Sequence, residues 1–201
     1  MSTTSLPSRR PRCAACDLPL RTCVCALVTP VRNEVEVLVL QHPHEALEAK
    51  NSVRLLRLSL AYCRIVVGET FDPDELLSVL DGDVSGSVLL YPADTLDSTA
   101  ATRTEKPPAR PRRLVVLDAT WRKSLRMLHA TPLLQSLPRW ILAPSAPARY
   151  GALRKARHLA QLSTLEATCD ALADIESASR RYEPLLDAFD RFVADRVARS
   201  K

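Results

Sequence analysis

Residues 114–117, Leu-Val-Val-Leu, form an unbroken apolar run that ends in Asp118 and passes almost at once into a basic, helix-like run through Met127. A strand without polar alternation is one covered on both faces, the mark of a parallel sheet with helices packed on either side. Glu34-Val-Glu-Val-Leu-Val-Leu-Gln41 alternates and then turns fully apolar. Cys63-Arg-Ile-Val-Val67 reads as another strand and Ser87-Val-Leu-Leu-Tyr91 as a third, with the fourth at 113–117. Between them, His44 to Leu60 has helical spacing through Leu47, Val53, Leu56 and Leu60, and Asp72 to Leu80 reads as a short helix with Pro73 in its first turn. Strands alternating with helices predict an α/β fold with a parallel sheet.

Beyond a helix at about 119–130, Pro-punctuated turns surround Trp140-Ile-Leu-Ala143. Ser163-Thr-Leu-Glu166 has the spacing of a capping box opening a helix through about Ile175, and a last amphipathic helix is expected from about Pro184 to Val197. Residues 93–112 lack periodicity and aromatics and read as a flexible insertion, and residues 1–12 as a flexible N-terminus. At 201 residues, 46% apolar and 25% charged, the composition is that of a globular domain with a substantial core. It contains no membrane-length apolar stretch and no apolar signal-peptide core, so the expected compartment is the cytoplasm, with no membrane partner.

Four of the six cysteines, Cys13, Cys16, Cys23 and Cys25, fall within thirteen residues. In a reducing compartment, thiolates at this density point to a tetrahedral soft metal, zinc, rather than a disulfide framework. The C-x2-C half is the usual chelate and the C-x-C half a rarer one, which leaves free or oxidised thiols as the alternative. Cys63 and Cys169 sit in apolar contexts and read as small buried hydrophobes.

The formal charge of +5 is unevenly spread. Residues 66–97 hold Glu69, Asp72, Asp74, Glu75, Asp81, Asp83, Asp94 and Asp97 with no Lys or Arg, whereas residues 103–126 hold eight basic groups against Glu105 and Asp118. Arg149, Arg154, Lys155 and Arg157 follow unopposed. A basic face suggests a polyanionic partner, and a solvated surface with fortuitous clustering is the alternative.

Asp118 closes a strand at the carboxyl edge of the sheet, where open α/β sheets bind ligands. Asp118-Ala-Thr-Trp121 thus puts a carboxylate, a hydroxyl and an indole at a candidate active site. The simpler alternative makes Asp118 a helix N-cap and Trp121 a core aromatic. Three other clusters stand at strand ends or helix starts: Gln41-His-Pro-His-Glu45 with Asn51-Ser-Val-Arg54; Leu89-Leu-Tyr-Pro92; and Arg149-Tyr-Gly-Ala-Leu-Arg154-Lys155 followed by Leu162-Ser-Thr-Leu-Glu166.

Together with the cysteines, this set in this order resembles the DTW-domain family, tRNA-uridine aminocarboxypropyltransferases related to the SPOUT class of knotted RNA-modifying enzymes. The likeness runs from Cys13 to Glu166, with Asn51-Ser52 where the family pattern has Asn-Thr. It implies a SPOUT-like knotted parallel sheet over residues 30–201, preceded by a zinc knuckle at 13–29. It also implies transfer of the 3-amino-3-carboxypropyl group of S-adenosylmethionine to N3 of a tRNA uridine.

Under that resemblance Asp118 is the catalytic base, since N3 must lose a proton to attack carbon. Leu90, Tyr91, Pro92, Thr120, Trp121, Leu162, Ser163, Thr164 and Glu166 line the cofactor site. His42, Glu45, Arg54, Arg122, Arg149, Tyr150, Arg154 and Lys155 meet RNA. Each has a plainer alternative: His42 and His44 as a strand-end turn, Ser163 and Glu166 as a helix cap, Pro92 as a strand stop, the arginines as a solvated loop. At the level of function the alternatives are an RNA methyltransferase of the same fold and a non-catalytic zinc-knuckle RNA-binding protein. The oligomeric state, monomer or homodimer, stays open.

Overall fold

The structure is a computed structural model and describes residues 11–91, 103–104, 110–142 and 162–199. Two 3-10 turns, Leu20–Thr22 and Cys25–Leu27, precede β1 (Glu36–Gln41), α1 (Pro43–Leu47), α2 (Val53–Ser59), β2 (Cys63–Val67), α3 (Pro73–Val79) and β3 (Ser87–Leu90). There follow β4 (Arg103–Thr104), β5 (Arg113–Asp118), α4 (Trp121–Ala130), α5 (Pro132–Ser136), β6 (Arg139–Trp140), α6 (Thr164–Ile175) and α7 (Glu183–Ala198). The strands form one sheet in the order β2-β1-β5-β3-β6-β4, with every pairing parallel. Because β5 lies between β1 and β3, its apolar run has a strand on each side and helices on both faces, which is why it reads without alternation.

Alternate strand residues divide the core in two. Val37, Val39, Val88, Leu90, Leu114 and Val116 pack with Val53, Leu55 and Leu56 of α2, Leu165 and Leu172 of α6, and Leu185 and Phe189 of α7. Leu38, Leu40, Leu89 and Val115 pack on the other face with Leu76 of α3, Met127 and Leu128 of α4, and Leu134 of α5. Each fully buried Leu or Val on these faces stabilises the fold by about 1.5–3 kcal/mol. Cys16, Leu18 and Val24 belong to the first of these cores, so the cysteine segment packs into the main domain.

The chain leaves β1 toward α2 on one face and leaves β5 toward α4 on the other. The two connections diverge between the neighbouring carboxyl ends of β1 and β5, the kind of switch point at which a crevice opens in α/β sheets.

Three local expectations change. The continuous helical span from His44 to Leu60 is broken into α1 and α2, because the Asn51 side chain accepts a hydrogen bond from the Val53 N–H at 2.9 Å and starts a new helix. The 93–112 segment, expected to be flexible throughout, contributes β4, which pairs with β6 through Thr104 and Trp140. The turns expected around Trp140 contain α5 and β6. Residues 1–10 and 92–102 lie outside the described residues. Among those described, no helix is long and apolar enough to cross a membrane.

Candidate active site

Counting from Leu114 and Val116, Asp118 points to the face that carries α2 and α6. The register sets it beside Gln41, the last residue of β1. Gln41 Nε2 donates to Asp118 Oδ2 at 2.8 Å, and Asn51 Nδ2 donates to the same oxygen at 2.7 Å. Thr164, the first residue of α6, donates from Oγ1 to Oδ1 at 2.6 Å. Three separated segments therefore converge on one carboxylate that is 5% exposed. Burial pushes its carboxyl above the ordinary carboxylate range and the charge of Glu45 adds to the effect, while the hydrogen bonds from Thr164, Gln41 and Asn51 pull the other way. The outcome is a carboxylate held in one orientation by neutral donors, with a raised affinity for a proton, which suits the deprotonation of a weakly acidic N–H. Thr120, not Asp118, occupies the N-cap position of α4, so the helix-cap alternative for Asp118 does not hold.

On the opposite face the ring of Trp121 stacks on Tyr91, with centroids 5.8 Å apart and an interplanar angle of 24°. Tyr91 is buried at 3% exposure, whereas Trp121 is 44% exposed and is no core aromatic. Ser124, one turn along α4, lies 3.5 Å from the Tyr91 hydroxyl and donates to the Trp121 carbonyl at 2.9 Å. Leu90, the residue before Tyr91, is buried on the Asp118 face. Arg122 stands exposed beside Trp121.

His42 extends the ladder, its N–H bonding the Asp118 carbonyl at 2.9 Å. Its Nδ1 accepts from the His44 N–H at 3.1 Å, capping α1, so the ring proton sits on Nε2, which faces Glu69 Oε1 at 3.4 Å. Burial and the nearby Lys123 lower its pKa, and the ring is neutral at pH 7. Glu45 is buried in α1. Arg54 Nη1 donates to the Cys16 carbonyl at 3.0 Å and fastens the cysteine segment to α2. Ser163 and Glu166 form a reciprocal capping box at 3.2 and 2.8 Å, which sets the start of α6 and with it the reach of Thr164 to Asp118. Leu162 is half-buried just ahead of that cap. Pro92, Arg149, Tyr150, Arg154 and Lys155 lie outside the described residues.

The sulfurs of Cys13, Cys16, Cys23 and Cys25 all lie within 4.8 Å of one another and can hold a metal ion. Cys13 and Cys25 are 3.6 Å apart and Cys16 and Cys23 3.7 Å apart, close to the roughly 3.8 Å edge of a tetrahedron with metal–sulfur bonds of about 2.3 Å. Backbone N–H groups of Cys16 and Ala15 lower the Cys13 thiol to about 6, while burial and the neighbouring sulfurs push Cys25 up to about 12. Such crowding of sulfur is relieved by a cation at its centre. Among the described residues no other group of His, Cys, Asp and Glu side chains has this arrangement.

A family model described as the DTW domain matches residues 10–197. The chain belongs to the DTW domain family. tRNA-uridine aminocarboxypropyltransferase 2 of Mus musculus is 28% identical over 188 residues, covering 89% of this chain and 61% of that protein. The protein of the same description from Drosophila melanogaster is 28% identical over 188 residues, covering 90% of this chain and 72% of the relative. tRNA-uridine aminocarboxypropyltransferase A of Arabidopsis thaliana is 25% identical over 139 residues, or 61% of this chain and 52% of that protein. The chain thus spans about three-fifths of the length of the mouse relative. No solved structure matches it.

Within this DTW domain, Gln41 and Asn51 are the site residues to which the sequence assigned no role. The signal was present in both: a lone amide closing an apolar strand, and an Asn ahead of Val53 where a helix restarts. The basic run 103–126 also divides rather than forming one face. Arg113 is buried at the start of β5, bonded to Glu36 and Asp81, and Arg112 lies 3.5 Å from Asp81, whereas Arg122, Lys123 and Arg126 lie beyond the other end of that strand.

Proposed function

We propose that this chain transfers the 3-amino-3-carboxypropyl group of S-adenosylmethionine to N3 of a uridine in tRNA, releasing methylthioadenosine. The observation that supports this reading is the DTW-domain likeness across residues 10–197, together with relatives named tRNA-uridine aminocarboxypropyltransferase. Asp118 accepts the N3 proton. The N3–Cγ bond forms as the Cγ–S bond breaks, and sulfur leaves with the bond pair as a neutral thioether. Gln41, Asn51 and Thr164 hold the carboxylate still, so no reorganisation is needed at the moment of transfer.

The co-substrate occupies the carboxyl edge of the sheet, against Leu90 and Tyr91 with Pro92 next in sequence, Thr120 and the ring edge of Trp121 at the start of α4, and Leu162, Ser163, Thr164 and Glu166 at the start of α6. The amino end of α6 favours its carboxylate. Arg122, Arg149, Tyr150, Arg154 and Lys155 meet tRNA, with His42 and Glu45, both buried, acting from behind that surface and Arg54 acting through the cysteine segment it holds. The four cysteines hold structural zinc, whose thiolate chemistry and tetrahedral preference their spacing matches. A SPOUT-like knot completes the fold, and the protein works in the reducing cytoplasm.

The test is incubation of tRNA with carboxyl-labelled S-adenosylmethionine. Label on tRNA with methylthioadenosine as the nucleoside product supports the reading. Stoichiometric S-adenosylhomocysteine, with label passing only from the methyl group, replaces it with methylation.

A further inference from the structure

We infer that the outer face of Trp121 is a stacking platform for one unpaired RNA base, and that the exposed edge of α4 behind it, through Arg122, Arg126 and His129, carries the phosphates next to that base. This rests on the tRNA reading above and adds which surface meets the RNA, and in what state.

The inner face of the indole is already used. It stacks on Tyr91, which is buried and flanked by Ser124, so the ring is held in place by contacts of the protein itself. At 44% exposure the indole keeps a large part of its surface open, with little rotamer freedom left to lose on binding. A single exposed aromatic face stacks one base and has no use for a duplex, whose base faces are covered by their neighbours.

The helix behind the ring has the charge such a strand needs. Ser124, Met127 and Leu128 turn into the protein, and the opposite edge of α4 carries Arg122, Arg126 and His129 in successive turns. No Asp or Glu occurs between Trp121 and Ala130. Among the described residues Arg122 and Arg126 make no ion pair, whereas Arg112, Arg113, Arg181 and Arg196 are each bonded to a carboxylate. Arg122 and Arg126 lie about 6 Å apart along the helix axis, so both side chains reach the same stretch of backbone. This edge starts next to Trp121, at the same carboxyl end of the sheet as Asp118 but on the opposite face, so the platform holds a base that neighbours the target nucleotide along the strand.

The experiment measures binding of a single-stranded oligouridylate of about eight nucleotides, within the usual site size for one domain. Trp140 is fully buried, so quenching of tryptophan emission on binding reports Trp121. Trp121→Leu should weaken binding by roughly 5- to 150-fold, the loss of one base stack, and Trp121→Phe should recover most of it. Arg122→Ala and Arg126→Ala should each flatten the slope of log K against log salt by about 0.7. An oligomer of the same length without bases should bind the parent and Trp121→Leu alike. Oligouridylate binding to Trp121→Leu at parental strength overturns the platform. If that variant has also lost transfer, the ring serves the co-substrate and the tRNA reading stands. A parent protein that binds neither oligouridylate nor tRNA removes both.

Discussion

Replacing Asp118 by Asn or by Ala separates its charge from its shape. In Asp118→Ala, Gln41 Nε2 and Asn51 Nδ2 lose the oxygen they share, and both side chains are buried. An unsatisfied buried donor costs about 1–3 kcal/mol, so the pair amounts to about 2–6 kcal/mol of lost stability. In Asp118→Asn the amide oxygen takes the place of Oδ2 and keeps both donors, while the amide NH2 faces Thr164, whose hydroxyl can turn to accept. Relief from burying a charge offsets the weaker hydrogen bonds, so this variant should stay within about 1 kcal/mol of the parent. Transfer, however, should fall by roughly 10²–10⁴-fold, because the amide cannot take a proton. Urea unfolding midpoints and label transfer from carboxyl-labelled S-adenosylmethionine give the two readouts. Near-parental transfer by Asp118→Asn would refute the base, and equal destabilisation by both variants would refute the account of the hydrogen bonds.

Because burial raises the Asp118 pKa and the base must be ionised, the acid limb of the transfer rate should lie above the ordinary Asp value of about 3.9, with activity lost as pH falls through the raised pKa. For stability the sign is opposite: an acid with a raised folded pKa stabilises the fold at low pH and loses that contribution as pH rises through it, so Asp118→Asn should gain on the parent toward neutral pH in urea titrations. The double change Cys13→Ser and Cys16→Ser should abolish an otherwise stoichiometric metal content by elemental analysis, and an unchanged content would exclude the site. Arg196 donates to the carbonyls of Ala49 and Thr22 at 3.0 and 2.6 Å, so Arg196→Met should lower unfolding stability by about 2–4 kcal/mol and loosen the cysteine segment toward proteolysis. Ser163→Ala removes the cap of α6, which costs about 1 kcal/mol by thermal unfolding and should slow transfer through Thr164.

Local pattern determined most of the elements. The apolar runs at β1, β3 and β5 could be read because burial on both faces leaves few polar positions to confuse the period, β2, an edge strand with Arg64 exposed, because of its β-branched run, and α6 because its capping box is a contact between residues three apart. The four cysteines were legible for a similar reason: a chelate closed within thirteen residues depends little on the rest of the chain. β4 and β6 could not be read, since two-residue strands have no period and exist only by pairing at the sheet edge.

The site itself was half legible. Asp118 stood out as an acid ending an apolar strand, but its partners come from residues 41, 51 and 164, brought together by the insertion of β5 beside β1 and by the return of α6 to the same face. The basic segment 103–126 looked continuous in one dimension. Tertiary structure split it, because a strand carries its two ends to opposite edges of the sheet: Arg113 was buried against the carboxylates of Glu36 and Asp81 at one edge, and Arg122 and Arg126 stayed exposed near the other. Charge is a property of residues, but whether it is neutralised within the fold or presented to a partner depends on which groups the topology sets within a few ångströms, because a charge taken out of water must find an opposite charge close by.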